Sequence, residues 1–422
     1  MQLGLSRICI TPEFPTCLAC SQKKDALFER IHDDIFVNCL VLSNNSTGII
    51  IMSYDLLFHS RNLHEFIYSY VKQNYNVPSD NILITFTHNH NSPSTLGYND
   101  FSASMQYEEL LKSRSISAID SAFTKMGPGS VRYGQIPGHW AVNRRKRTDE
   151  GIKLAPNTDG PTDDMIYVLG LFGEDEKALG IIVNYACHPV HYPDTLAITG
   201  EYPGFLSRYI EEKIPGCIPI FIQGAGADAR PASTAEKGVF VHRSFDFIQK
   251  MASEMADSIM SLICGNKMTV LTPGLKCTVF SIEVPTDDEG IEYFKNCITN
   301  ETLSAHLRRN AVELVRDYNS IKTSFELKCG IIQISEDLLI LHMGGEPCCD
   351  VRFNLSTLFK GKNIIFAGYT DGCAYIVPDY MIDEDGYEVS CFLEYKHKGR
   401  ILHGIDKLIF NSFKTAMIEL GL

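Results

Sequence analysis

The stretch NILITFTHNHNSP, residues 81–93, decides how the chain is read. Asn81–Thr87 is a short run of apolar and β-branched residues and reads as a strongly buried strand. His88 and His90 stand at i and i+2 just past its end, where they share one face at the carboxyl edge of a sheet. Loops at that edge are where α/β folds place their sites. Imidazole is the commonest zinc ligand, yet an HxH pair supplies at most two of the three protein ligands that a catalytic zinc needs. Taken alone, the pair reads more readily as satisfied or surface histidines.

The same grammar repeats further along. The strand Gly180–Tyr185 runs into Ala186-Cys187-His188-Pro189-Val190-His191, and Ile198–Gly204, carrying Glu201, opens the next helix. A third strand end carries Gly224-Ala225-Gly226-Ala227-Asp228-Ala229-Arg230-Pro231, whose small residues let the backbone approach a ligand closely. That segment lacks both a GK[ST] ending and GxGxxG spacing, which argues against a nucleotide phosphate loop. Cys187 and His188 are neighbours on a strand and point to opposite faces, so Cys187 reads as a small core residue rather than a nucleophile. Glu346 follows a buried strand and the pair Gly344-Gly345. Tyr375 follows Asn363–Gly368, with Gly386-Tyr387-Glu388 beyond it. A lone Glu or Tyr in such places is ordinarily surface or core.

Around these strand ends the chain alternates. Phe36–Leu42 and Gly48–Ser53 read as strands split by the turn signal Ser43-Asn44-Asn45-Ser46, and Arg61–Gln73 and Tyr107–Met126 as helices. Pro156–Asp164 is turn-rich. Met165–Phe172 and Leu179–Tyr185 then form a strand pair, followed by the helix Gly204–Lys213, the strand Ile218–Gln223 and the helix Val241–Leu262. From about Met268 the strands Gly274–Val284, Gly330–Ile334, Leu338–Met343 and Asn363–Gly368 flank a charged helical stretch, Gly290–Asp317, before a closing helix, Gly404–Leu420. The pattern predicts an α/β fold of mixed β-sheets with flanking helices. It divides into two lobes, 1–267 and 268–422, that form one catalytic unit.

Composition narrows the function. Of the 422 residues, 45% are hydrophobic, enough for a large core, and no apolar run approaches the ~20 residues of a membrane helix. The net charge of −13 repels a phosphate backbone, so nucleic acid is excluded as a partner class. The N-terminus lacks a basic region followed by an apolar one. With fourteen scattered Cys, this predicts free thiols in a reducing cytoplasm. Cys17-Leu-Ala-Cys20 is a lone CxxC and reads as chance, and Cys348-Cys349 as packing. The oligomeric state is not legible.

Taken in order, these segments resemble the neutral/alkaline non-lysosomal ceramidase family. Its patterns are an HTHSGP-like strand end, an AxHP followed by ISGDxxG, an AGDxxP turn, a PGE and an AYxx…GYE pair. Here they read His88–Pro93, Ala186–Pro189 with Ile198–Gly204, Ala227–Pro231, Gly344–Glu346, and Tyr375 with Gly386–Glu388. Ser6–Pro12 and Val142–Arg145 also fit, and the match covers nearly the whole chain. The resemblance implies Zn²⁺ held by His88, His188, Glu346 and Tyr375, with His90, Arg144 and Tyr387 acting on the substrate and the transition state. Tyr375 and Tyr387 keep the twelve-residue spacing of the family's ligand and substrate tyrosines. It further implies hydrolysis of an N-acyl bond in a lipid or a smaller N-acylated compound. Another zinc-dependent acyl or ester hydrolase, or a non-catalytic relative that binds a ligand, are the alternatives. Asp228 and Glu201 would orient the metal-binding histidines, or serve simply as turn and helix-start carboxylates. Arg230 stands where the family has serine, which makes the pocket more cationic.

Overall fold

Strands Phe36–Ser43, Gly48–Tyr54 and Ile82–Phe86 are apolar on both faces, and the reason lies in what covers them. Their odd and even residues part into two cores. Val37, Cys39, Val41, Ile50, Met52, Ile82 and Ile84 pack under the helices Arg61–Tyr75 and Met105–Thr124. Leu40, Leu42, Ile49, Ile51 and Leu83 face the other way, into an inner core. A continuous apolar run is what a strand buried on both sides requires.

The computed structural model describes residues 1–20, 27–44, 47–58, 61–95, 104–192 and 196–422. Asn45 and Ser46 of the expected turn lie outside them. The three strands belong to a nine-stranded mixed sheet. Along it run Ile218–Gln223, Ala178–Tyr185, Met165–Gly173, Gly127–Pro137, Gln2–Cys9, Phe36–Ser43, Gly48–Tyr54 and Ile82–Phe86, with Thr269–Leu271 paired to Gly127–Pro137. Its two end pairs, Ile218–Gln223 with Ala178–Tyr185 and Gly48–Tyr54 with Ile82–Phe86, are parallel. A four-stranded sheet of Pro273–Pro285, Ser324–Ser335, Leu338–Met343 and Asn363–Ala367 ends in a third parallel pair. Ile332, Ile340 and Ile365 of that sheet join Leu3, Leu5, Ile51, Leu83, Ile182 and Ile220 in the inner core. Helices cover the outer faces. Glu201–Lys213 and Phe245–Cys264 lie over one, and Cys349–Ser356 and Ile405–Leu420 over the four-stranded sheet. The α/β class with mixed sheets and flanking helices is therefore what the chain adopts.

Several elements differ from the sequence expectation. Gly290–Asp317 is two helices, Ile291–Thr299 and Ala305–Asp317, because the Ser304 hydroxyl accepts from Leu307 N at 3.3 Å and caps a new start. The helix expected from Val241 begins at Phe245, since Val241 N and Arg243 Nε are spent on the carbonyls of Thr234 and Ser233. Gln2–Cys9 is a central strand with no strong pattern. A Cβ on Gly4 would stand 2.1 Å from the Ala122 carbonyl oxygen, and the Ser6 hydroxyl donates to Ala118 O, so the close helix selects small and polar residues there. Ala141–Thr148 and Gly151–Asn157 form a hairpin beside the sheet, rich in Arg and Lys, which hides its strand character.

Asp55, at the end of Gly48–Tyr54, ties this frame to the histidine loop. Its carboxylate accepts from Phe36 N at 2.9 Å, and its carbonyl accepts from the Asn89 amide at 3.3 Å. Burial pushes its carboxyl up to about 7. A folded pKa above the unfolded one gives stability that is full below pH 4 and is lost as pH rises through 7, up to about 4 kcal/mol. Asp55→Asn is expected to remove this slope, so that melting curves between pH 5 and 8 separate from those of the wild type. Parallel curves would refute it.

Candidate metal centre

The site begins as a meeting of strand ends. The Asn184 amide donates to Ile222 O and Phe366 O, both at 2.9 Å, which locks Ala178–Tyr185 to Ile218–Gln223 and to Asn363–Ala367. Gly368 N donates to Gln223 O at 3.0 Å, and Phe86 N to Tyr369 O at 3.2 Å. The loops that leave these ends therefore open on one spot. They carry His88 and His90, His188, Gly224–Ala229, and Tyr369 to Tyr375. Glu346 arrives through a short parallel pair in which it is the register partner of Tyr375.

His88 Nε2 and His188 Nε2 each lie 3.2 Å from Glu346 Oε2. His90 Nε2 lies 3.2 Å from His88 Nε2, and the three imidazoles offer nitrogens within 4.8 Å of one another. The Tyr395 hydroxyl donates to the other carboxylate oxygen, Glu346 Oε1. Glu346 is buried, which would raise its carboxyl, but His88 and His188 beside it hold it well below the usual carboxylate range. Burial pushes His188 down to about 4 and His90 well below the ordinary imidazole value.

These atoms fit a divalent cation. His188 Nδ1 donates to Gly226 O at 2.7 Å, so the neutral ring turns its Nε2 lone pair toward the Glu346 carboxylate. A ring lone pair and a carboxylate oxygen facing each other at 3.2 Å call for a proton or a metal cation between them, and a second imidazole turned onto the same oxygen at the same distance favours the cation. Tetrahedral zinc with bonds of roughly 2.0–2.1 Å has ligand–ligand edges of about 3.3 Å, close to the observed separations. His88, His188, Glu346 and the adjacent Tyr375, or the three histidines, could hold such an ion.

Charged groups frame one side. Arg144 Nε donates to Glu388 Oε1 at 2.7 Å, and Arg145 Nη1 to Glu388 Oε2 at 2.6 Å. The Arg144 guanidinium lies 5.4 Å from the Tyr375 ring centre and 5.5 Å from that of Tyr387, and its Nη2 is buried with no hydrogen-bond partner among the described residues. Burial works against its charge, but Tyr375 and Glu388 raise its pKa further above the ordinary value. The Tyr387 hydroxyl donates to Glu394 at 3.2 Å, and burial beside Glu346 pushes the Glu394 carboxyl up to about 7.

The structure places Asp228 and Glu201 behind the histidines. Asp228 pins the turn that holds His188. Its carboxylate accepts from Cys349 N at 2.9 Å and the Asn143 amide at 3.1 Å, while Gly226 O and Ala229 O receive His188 Nδ1 and N. Glu201 accepts from His191 N and Nδ1, at 2.5 and 2.9 Å, and so acts on the residue three beyond His188 rather than on the clustered rings. Sequence reasoning passed over Tyr395, Glu394, Tyr192 and Tyr369. Tyr192 bonds His90 Nδ1 at 3.1 Å, and Tyr369 packs 4.5 Å from His88 between ring centres. Their signal is contact across the fold and not a local pattern. His88, Glu201 and Tyr369 also take the left-handed backbone, with φ of 61°, 54° and 57°. Such non-glycine conformations cluster at functional sites. Burial, with Glu394 and Glu346 nearby, pushes the Cys20 thiol up and so disfavours the reactive thiolate.

No protein-family model matches the sequence, and no curated protein matches it. Solved structures do. Neutral ceramidase from Pseudomonas aeruginosa superimposes with a TM-score of 0.78 over 100% of this chain and 75% of that chain, at 14% sequence identity. A ceramidase complexed with C2 gives 0.75 at 15% identity, with the same coverage of both chains. The chain is similar to them in fold throughout its length. No helix among the described residues is long and apolar enough to cross a membrane.

Proposed function

We propose that this protein is a zinc-dependent hydrolase of an N-acyl bond, ceramidase-like in its catalytic apparatus. The observation that carries the reading is the pair of imidazole nitrogens, His88 Nε2 and His188 Nε2, turned onto one buried carboxylate oxygen of Glu346 at 3.2 Å. The fold shared with ceramidase structures supports an amide as the bond cleaved.

His88, His188, Glu346 and Tyr375 would hold the ion. When bound, zinc supplies Lewis acidity that polarises an acyl carbonyl and lowers the pKa of a water to about 7. The remaining steps belong to the chain. Arg144, clamped by Glu388, aims an unpartnered Nη2 that can donate to the oxygen on which charge develops. His90, steadied through Nδ1 by Tyr192, can take a proton from water and return it to the leaving amine. Tyr387 lies beside Tyr375, ring centres 5.7 Å apart, where its hydroxyl can help to orient the amide. Tyr395 fixes the carboxylate of Glu346, and the Gly226 carbonyl fixes the tautomer of His188.

Purified protein is expected to carry about one zinc per chain by metal analysis. Chelation should abolish hydrolysis of a fluorogenic N-acyl substrate, and added zinc should restore it. Metal-free protein that turns over at an undiminished rate would sink the proposal.

A further inference from the structure

Among the described residues, Arg230 is a cation with no carboxylate to answer it. Arg145, Arg243 and Arg352 each reach an acidic side chain within 4.0 Å. Arg230 reaches none among the described residues. Its Nη2 donates to the Val190 carbonyl at 3.2 Å, while its Nε is buried with no partner. The guanidinium packs against aromatics instead, 4.5 Å from the Phe240 ring centre and 5.8 Å from that of Tyr192. A partly buried charge left in this state is costly, and proteins keep such groups paired.

Its position gives the cost a purpose. Tyr192, on which it packs, bonds His90 Nδ1 at 3.1 Å, and His90 Nε2 is 3.2 Å from His88 Nε2. Arg230 thus stands one tyrosine away from the histidine cluster. Arg144 flanks the cluster as a second cation, and burial together with Arg144 pulls the pKa of Arg230 down. An anion arriving between them would relieve both the desolvation and the repulsion. The free Nε edge is the geometry that receives an oxyanion.

Resting on the hydrolase reading above, we propose that the substrate is an N-acyl amine bearing an oxyanion, a carboxylate or a phosphate, near the scissile amide, and that Arg230 binds that group. The fork of one guanidinium selects the anionic compound over a neutral amide with the same acyl chain.

The test compares kcat/KM of the zinc-loaded enzyme for an N-acylglycine, its N-acylglycinamide and an N-acylphosphoethanolamine of equal chain length. An anionic compound should be favoured at least roughly tenfold, and which anion wins identifies the group. Arg230→Gln should cut that preference by about tenfold or more, mainly through KM of the anionic compound, while Arg230→Lys keeps part of it. Equal rates in the wild type, or a preference that survives Arg230→Gln, would overturn the proposal. If no amide is cleaved at all, the hydrolase reading fails separately. Calorimetry with an N-alkylsulfonylglycine and its amide, neither of which is hydrolysable, then decides. Tighter binding of the anion that Arg230→Gln removes supports the assignment, and equal binding refutes it.

Discussion

Glu346→Gln is expected to give a folded protein without bound metal and with kcat/KM reduced by roughly 10³-fold or more, about 4 kcal/mol of transition-state stabilisation. Glu346 is the carboxylate on which His88 and His188 both converge. An amide of the same shape keeps the packing and one acceptor for Tyr395, but it removes the negative charge that a divalent cation needs. Metal content, kcat/KM and melting temperature must be read together. Loss of rate with zinc still bound at full stoichiometry would take Glu346 out of the ligand set.

Arg144→Leu is expected to have the next largest effect, and on two quantities at once. Loss of the Nη2 donor should lower kcat by roughly 10²- to 10³-fold, as when an oxyanion-hole donor is removed. Stability should also fall, because Glu388 keeps Arg145 but loses its bond from Arg144 while buried. Breaking a buried pair costs about 3–5 kcal/mol, and the remaining arginine should hold the loss toward the lower end. Adding Glu388→Leu should lower the melting temperature further, because Arg145 then loses the carboxylate it meets at 2.6 Å, and should not recover the rate. A double variant that regains activity would show that Arg144 acts only through packing.

The fold was legible where burial writes directly into sequence. Ile82–Phe86 and Gly48–Tyr54 are covered on both faces, so apolar residues dominate at odd and even positions alike and the strands announce themselves. Gln2–Cys9 and Ala141–Thr148 do not, since one accommodates a close helix with Gly4 and Ser6 and the other spends Arg144 and Arg145 on a distant carboxylate. The candidate site divides in the same way. His88, His90, His188, Glu346 and Tyr375 follow strand ends and share ordered motifs, and the chain brings them to one place. Tyr395 and Glu394 belong to a loop whose role rests on contacts with Glu346, 49 residues away, and with Tyr387. A residue's meaning there is set by its tertiary neighbour, which no window of sequence contains. Arg230 is the intermediate case, visible as an odd residue in a small-residue turn but interpretable only once its surroundings are known, a carbonyl and two aromatic rings with no carboxylate among the described residues.

The left-handed turns at His88, Glu201 and Tyr369 have a consequence for how this chain can change over time. Each position would be more comfortable as glycine, by about 1–2 kcal/mol for the backbone alone. Their burial reverses that preference: glycine would leave a cavity at Tyr369 and orphan the His191 donors that Glu201 satisfies, each costing more than the backbone regains.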